Sequence, residues 1–220
     1  MNSKIASSLL LTLLIVIVSC NTPVERTQEK WIPLFNGVNL DGWNIKISGH
    51  EINNNYKNTF IVEDSILKVN YQEYDSFRNK FGHLYYEKPY SHYRLRIEYK
   101  MIGNPVPGSP VWAHANSGVM LHSQSAHEQE LNQNFPVSVE LQFLSELVGE
   151  NRTNGNLASP GTHVWAHDSL HTNHMLYSRY VAPRQDQWIK VEAIVYGDSL
   201  LHHLVEGDTV LTYTKPRIGG

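Results

Sequence analysis

A glutamate and a glutamine, placed two residues apart in a hydrophobic stretch, are the side chains in this sequence best suited to carry chemistry. In residues 137–143 (VSVELQF) hydrophobic and polar residues alternate, so Ser138, Glu140 and Gln142 fall on one side of a predicted strand. Because successive side chains of a strand point to opposite faces, Glu140 and Gln142 project together. On the concave face of a curved sheet, Glu140 could act as a general base or metal ligand and Gln142 could bind a hydroxyl group. The alternative is a solvated convex face, where both are ordinary polar residues.

An Asn-Ser-Gly segment and the histidine that follows it form a second candidate group. His122 is predicted to share a strand face with Gly118 and Met120. A neutral imidazole there could be a base, a hydrogen-bond donor or a metal ligand, and the alternative is an exposed or hydrogen-bonded histidine without a chemical role. Asn116 is better suited to a turn or to a substrate hydrogen bond than to catalysis.

Histidine is frequent in this chain, with twelve in 220 residues. Imidazole and oxygen ligands would suit a divalent ion such as Ca²⁺ or Zn²⁺, although no HExxH or similarly compact motif is present. For each histidine the alternative is a structural role only. The candidate metal ligands are His114, His163 and His174, followed by His171, His202 and His203.

Alternation of hydrophobic and polar residues recurs along the chain and predicts an all-β fold. It is clearest in residues 92–101 and 188–195. Turn-forming residues at 63–65, 197–199 and 206–208 separate short hydrophobic runs and predict hairpins. Four histidines between residues 163 and 174 have helix-like spacing, but the preceding Pro160-Gly161 and the polar residues among them favour loop and short strand. Since no long stretch has helical periodicity, we expect an antiparallel sandwich.

The N-terminus is typical of an exported lipoprotein. Lys4 is the only charged residue among the first 24, and residues 9–18 are hydrophobic except for Thr12. That run is too short to span a bilayer, which takes about 20 residues, and it fits a signal peptide. It ends at residues 17–20 (IVSC), which resemble the lipobox of lipoprotein signal peptidase. The alternative is an ordinary secretory signal with a chance cysteine.

We therefore expect a signal peptide over 1–19, a lipidated Cys20 with a tether over 20–30, and one domain over 31–220. Cys20 is the only cysteine, which excludes an intramolecular disulfide and a Cys–metal cluster. Because Asn21 is not an aspartate, resemblance to Gram-negative lipoprotein sorting implies the outer membrane. The formal net charge is −3 and no basic stripe is present, so a nucleic acid is not an expected partner. Membrane contact is expected through the lipid only.

Five motifs, in order along the chain, resemble one known family. They are residues 35–43 (FNGVNLDGW), 116–119 (NSGV), 139–143 (VELQF), 153–162 (TNGNLASPGT) and 207–220 (GDTVLTYTKPRIGG). The set is similar to the domain once called domain of unknown function 1080, now associated with 3-keto-glycoside lyase, hydratase and hydrolase activity. The resemblance covers about residues 30–220. In the family the chain continues with further strands, so this sandwich is expected to lack its last strand or strands.

The resemblance implies a concanavalin-A-like jelly roll and chemistry on sugars that carry a ketone at C3. The ketone acidifies the proton on C2, a base removes it, and the C1 substituent leaves by β-elimination; hydration of the 2-hydroxy-glucal completes a net hydrolysis. It points to Glu140 as the base, with His122 and Gln142 beside it. Aromatic residues could stack on the sugar, with a place in the core as the alternative; these are Tyr85, Tyr86, Trp112 and Trp165.

The rival interpretation is a carbohydrate-binding lipoprotein without catalysis. A retaining glycosidase of this fold would need two carboxylates about 5–5.5 Å apart, and the absence of an ExDxE-like strand argues against it.

Overall fold

Within residues 30–219, which the computed structural model describes, the predicted all-β fold is confirmed. The described chain contains fourteen strands and two three-residue 3-10 turns, Tyr56–Asn58 and Val111–Ala113. The strands are β1 (Trp43–Ile47), β2 (Phe60–Glu63), β3 (Ile66–Val69), β4 (Gly82–Tyr86), β5 (His92–Tyr99), β6 (Asn116–Leu121), β7 (Val139–Leu144), β8 (Asn156–Ala158), β9 (Thr162–Ala166), β10 (Ser169–His171), β11 (Met175–Leu176), β12 (Ile189–Tyr196), β13 (Leu200–Val205) and β14 (Asp208–Ile218).

Two antiparallel sheets form the sandwich. The larger has six strands in the order β10-β9-β14-β13-β12-β5, and the smaller has four in the order β11-β8-β7-β6. Two separate strand pairs, β1-β4 and β2-β3, precede β5 along the chain. All strand pairs within residues 30–219 are antiparallel, as in a jelly-roll sandwich.

The hydrophobic core lies between the two large sheets, because each contributes one hydrophobic face. The alternation predicted at 137–143 explains the smaller sheet's share, in which Val139, Leu141 and Phe143 point inward. The larger sheet supplies Val191, Ala193 and Val195 from β12, with further residues from β9, β13 and β14. A second, smaller cluster joins Ile45, Ile47 and Phe60.

The predicted turns are confirmed. Asp64-Ser65 join β2 to β3, residues 197–199 join β12 to β13, and Glu206-Gly207 join β13 to β14. The histidine-rich stretch after Gly161 forms β9, β10 and β11, so loop and short strand were the correct interpretation there.

The predicted signal peptide and the predicted lipidation of Cys20 lie outside the described residues, as does the predicted tether up to residue 29. Residues 30–33 contain no helix or strand. Within residues 30–219, no helix is long and hydrophobic enough to cross a membrane.

Candidate active site

Glu140 lies in the middle of the smaller sheet, on the face that points away from the core. In the register of β7 with its neighbours, Glu140 is opposite Met120 of β6 and Ala158 of β8. Gln142 is opposite Gly118 and Asn156. Since directly paired residues of an antiparallel sheet share a face, these six residues form one surface.

Gly118 makes room for the Glu140 side chain. A Cβ built on residue 118 would lie 2.6 Å from Cγ and 2.7 Å from Cδ of Glu140, and closer still to Oε1. Contacts this short do not occur between real side chains, so only glycine permits the observed position of the carboxyl group. The Asn-Ser-Gly segment therefore supplies the space into which the glutamate folds.

The Glu140 carboxyl group is buried and has no side-chain partner in the part of the chain that the structure describes. The residue is only 9% exposed, which corrects the alternative of a solvated face. Burial raises the pKa of the carboxyl group from an ordinary 4.5 to about 8. Among residues 30–219, no side chain forms an ion pair or hydrogen bond with it; the unpartnered atoms that are sealed from solvent are His50 Nε2, His114 Nε2 and Gln129 Oε1. The Glu140 oxygens are not among them, so they retain access to solvent.

Glu192 shows what a structural buried glutamate looks like in this chain. It is 2% exposed and accepts hydrogen bonds from Arg94 at 2.7 Å and Arg96 at 2.5 Å. Burial alone would raise the pKa of Glu192, but the two guanidinium groups overcome it and the pKa is lowered. Glu140 has no such compensation from the described residues. An uncompensated ionisable group in a protein interior is typical of functional sites.

Gln142 is held by a polar network below the sheet surface. Its Oε1 accepts a hydrogen bond from Asn156 Nδ2 at 3.1 Å. The Asn156 side chain in turn contacts the Thr153 carbonyl and hydroxyl groups and the Ser178 backbone N–H. Gln142 Nε2 makes no hydrogen bond to the described residues, and it is not sealed from solvent.

An exposed aromatic ring is anchored at the beginning of β6. Asn116 Nδ2 donates to the Trp112 carbonyl at 3.0 Å, which ties the 3-10 turn to the strand. One side of the Trp112 ring stacks parallel to Phe81, with 5.9 Å between centroids. Trp112 nevertheless remains 54% exposed, and an exposed, rigidly backed indole is a suitable platform for a sugar ring.

These features agree with the comparisons to known proteins. The sequence model of the 3-keto-alpha-glucoside-1,2-lyase-like domain matches residues 30–220. The chain belongs to this family. No curated protein and no solved structure matches the chain. The resemblance identified from the five ordered motifs is thereby confirmed, and it associates this lyase-like domain with the cleavage of 3-keto-glycosides.

His122 lies beyond the strand face on which the alternation placed it with Gly118 and Met120. Strand β6 ends at Leu121, and His122 has φ +49°, so the alternation of faces stops before it. Its Nε2 contacts the Gly197 carbonyl at 3.1 Å, in the turn between β12 and β13. It lines a groove of about 550 Å³ that does not include Glu140; the other lining residues are Ser123, Gln124, Glu128, Val137, Val139, Thr162, Asp198, Pro216, Arg217 and Ile218.

The three candidate metal ligands lie in three different places. His114 follows the second 3-10 turn, His163 lies on β9 of the larger sheet, and His174 precedes β11. Among residues 30–219, no three His, Cys, Asp or Glu side chains are grouped so that they could hold a metal ion. The three candidate histidines therefore do not form a common metal site.

Trp165 is also separate from Glu140. It lies on β9 in the larger sheet, where Lys215 Nζ is 5.6 Å from its ring centroid. The neighbouring Val164 and Ala166 point into the core, so Trp165 points out of the opposite side of the sandwich. Tyr85 binds Gln129 and Tyr86 packs against Trp43.

Sequence reasoning missed the residues that support Glu140 and Gln142. Gly118 was noted only as part of a motif, and Asn156, Thr153 and Ser178 had no assigned role. A signal existed for two of them, because Thr153 and Asn156 belong to the polar motif at 153–162. The residue types in that motif do not indicate which side chains it contacts.

Proposed function

We propose that this protein cleaves 3-keto-glycosides by β-elimination, with Glu140 as the base that removes the C2 proton. The observation that carries the proposal is the buried Glu140 on the outer face of the smaller sheet in a lyase-like domain, without a side-chain partner among residues 30–219. General acid–base catalysis is most efficient when the pKa of the catalytic group lies near the working pH. A carboxyl group with a pKa of about 8 meets that requirement both as the base that takes a proton and as the acid that returns it.

The steps follow from the substrate chemistry. The Glu140 carboxylate takes the C2 proton, and the electron pair of the C2–H bond forms an enolate with the C3 ketone. The enolate collapses to re-form the ketone, the C1=C2 double bond forms, and the C1–O bond breaks. The leaving oxygen takes a proton, which Glu140 now carries, so the carboxylate is restored. Addition of water across C1=C2 then gives the free 3-keto sugar and a net hydrolysis.

The decisive test uses p-nitrophenyl 3-keto-β-glucoside as substrate. We expect the mature protein to release p-nitrophenol and, in D₂O, to exchange the C2 proton. Glu140→Gln should reduce turnover by at least ~10²-fold, the usual scale for a general base. The unoxidised p-nitrophenyl glucoside is the matched control, since its C2 proton is not acidified. Release from both glucosides, or full turnover by folded Glu140→Gln, would contradict the proposal, and an EDTA arm tests for a metal requirement.

The rival function is carbohydrate binding without turnover, and the exposed Trp112 ring supports both functions equally. The two differ in one result. A binding protein would hold the 3-keto-glycoside without C2 exchange, whereas the enzyme would exchange it.

We also propose that Cys20 is lipidated and anchors the protein in the outer membrane. The support is the motif at 17–20 and the uniqueness of this cysteine in the chain. Palmitate labelling should be lost in Cys20→Ala, and equal labelling of both proteins would refute the anchor.

A further inference from the structure

The amide orientation of Asn156 is determined by two backbone groups. The Ser178 backbone N–H, which can only donate, lies 3.0 Å from Asn156 Oδ1. The Thr153 carbonyl, which can only accept, lies 2.7 Å from Asn156 Nδ2. Turning the amide over would place donor against donor and acceptor against acceptor, and Asn156 is fully buried, so no water could relieve either contact. The Thr153 hydroxyl, 2.7 Å from Oδ1, adds a third contact.

The fixed amide of Asn156 determines the orientation of the next amide. The second hydrogen on Asn156 Nδ2 is directed at Gln142, 3.1 Å away, and only an oxygen can accept it. The oxygen of Gln142 therefore points inward. Its Nε2, which has no partner among the described residues, is the end left for a ligand. Towards a substrate, Gln142 is thus a donor and not an acceptor.

The position of this donor matches the chemistry expected at Glu140. Glu140 and Gln142 are two residues apart on one strand face, about 6.6 Å between Cα atoms. In a 3-keto-glycoside the C2 proton and the C3 oxygen are on adjacent carbons, so a base and an oxyanion donor must approach from neighbouring positions. Negative charge appears on the C3 oxygen only when the proton leaves, and a donor aimed at it stabilises the transition state more than the ground state.

We propose that Asn156 is a positioning residue that holds Gln142 as the hydrogen-bond donor to the C3 oxygen of the substrate. The proposal rests on the function proposed above and specifies which substrate atom the site recognises. It also gives the site a preference for a ketone at C3, because the hydrogen bond from the amide is strongest where an oxyanion develops.

The test replaces Asn156 by aspartate, which keeps the acceptors for Ser178 and the Thr153 hydroxyl. It removes both amide hydrogens, the one donated to the Thr153 carbonyl and the one directed at Gln142. Gln142 should then turn over, donate inward and present its oxygen. We expect C2 exchange in D₂O to fall by ~10²-fold, the scale found for loss of one oxyanion donor, with KM changed less than about threefold. Gln142→Met, which carries no N–H, should show the same loss.

A spectroscopic reading separates positioning from folding. A 3-keto sugar without a substituent at C1 binds but cannot eliminate, and a hydrogen bond to its ketone lowers the infrared C=O stretching frequency. We expect the lowered frequency in the wild type and its loss in Asn156→Asp and Gln142→Met. The matched control is Asn154→Asp, because Asn154 is equally buried but donates to Tyr99 at 2.8 Å. Its frequency should stay at the wild-type value.

The outcomes are distinguishable. If the wild type exchanges the C2 proton and Gln142→Met keeps both the exchange rate and the lowered frequency, the donor role of Gln142 is wrong. If only Asn156→Asp keeps both, the positioning role of Asn156 is wrong. If the wild type shows no exchange, the proposed function is wrong, and so are the roles assigned to Gln142 and Asn156.

Discussion

Replacing Glu140 by glutamine should stabilise the fold while it abolishes activity, and the stabilisation should depend on pH. The unfolded chain loses the Glu140 proton near pH 4.5, whereas the folded chain keeps it until about pH 8. Between these values the folded state binds more protons than the unfolded state, so the wild-type free energy of unfolding falls as the pH rises. Glutamine has no proton to lose, and Glu140→Gln should not show this fall.

The expected size follows from the same two values. Each pH unit in the window corresponds to about 1.4 kcal/mol, so the full window is worth roughly 5 kcal/mol. The oxygens retain access to solvent, which reduces the effect, and we expect ~2–5 kcal/mol. At pH 5 both side chains are neutral and similarly unpartnered, so the two proteins should differ by no more than about 1 kcal/mol. At pH 9 the variant should be the more stable by the full amount.

Urea unfolding at pH 5, 7 and 9 measures the effect directly. Glu192→Gln is the matched control with the opposite sign. The folded-state pKa of Glu192 is lowered, so its carboxylate contributes stability above the unfolded value that is lost as the pH falls. Glu192→Gln should therefore be destabilised at pH 7. Parallel pH dependence of the wild type and Glu140→Gln would refute an uncompensated buried carboxyl group, and with it the basis for assigning the base.

Three further predictions concern Glu140, Gly118 and Trp112. The rate of C2 exchange should rise about tenfold per pH unit below about pH 8 and level off above it, since only the Glu140 carboxylate can accept the proton; a flat profile from pH 5 to 9 would exclude it as the base. Gly118→Ala should lower activity at least ~10-fold and stability by ~1–3 kcal/mol, because the new methyl group overlaps with the Glu140 side chain; wild-type kinetics and melting temperature would show that the carboxyl group can move at no cost. Trp112→Ala should raise KM about 10-fold, or ~1.4 kcal/mol, with kcat nearly unchanged, and steady-state kinetics in which kcat falls instead would contradict a platform role.

Strand structure was predictable because it depends on neighbouring residues. The alternation at 92–101 and 137–143 requires strands with one buried face, whatever they pack against, and β5 and β7 formed there. The same periodicity placed Glu140 and Gln142 together on the face opposite Leu141. Hairpins at 63–65 and 197–199 followed from turn residues within a few positions of each other.

His122 was not predictable in this way. The alternation of residue types continues to His122, but strand β6 ends at Leu121. The left-handed backbone of His122 and its contact with Gly197, which is 75 residues away in sequence, belong to the packing of one sheet end against the other. The candidate histidines 114, 163 and 174 failed to converge for the same reason, since strand order decides which of them meet.

The amino-acid sequence alone thus determined the fold class, the family and the side chain most suited to act as a base, because strand periodicity and ordered motifs are written along the chain. Only the tertiary structure decided what makes that side chain reactive. Glu140 is buried because Gly118 on a neighbouring strand leaves it space, and no positively charged side chain among residues 30–219 lowers the pKa of its carboxyl group. Gln142 is oriented because Asn156, Thr153 and Ser178 converge beneath it. Desolvation and hydrogen-bond direction depend on which groups meet in space, and strand pairing establishes those meetings between residues that are distant in sequence.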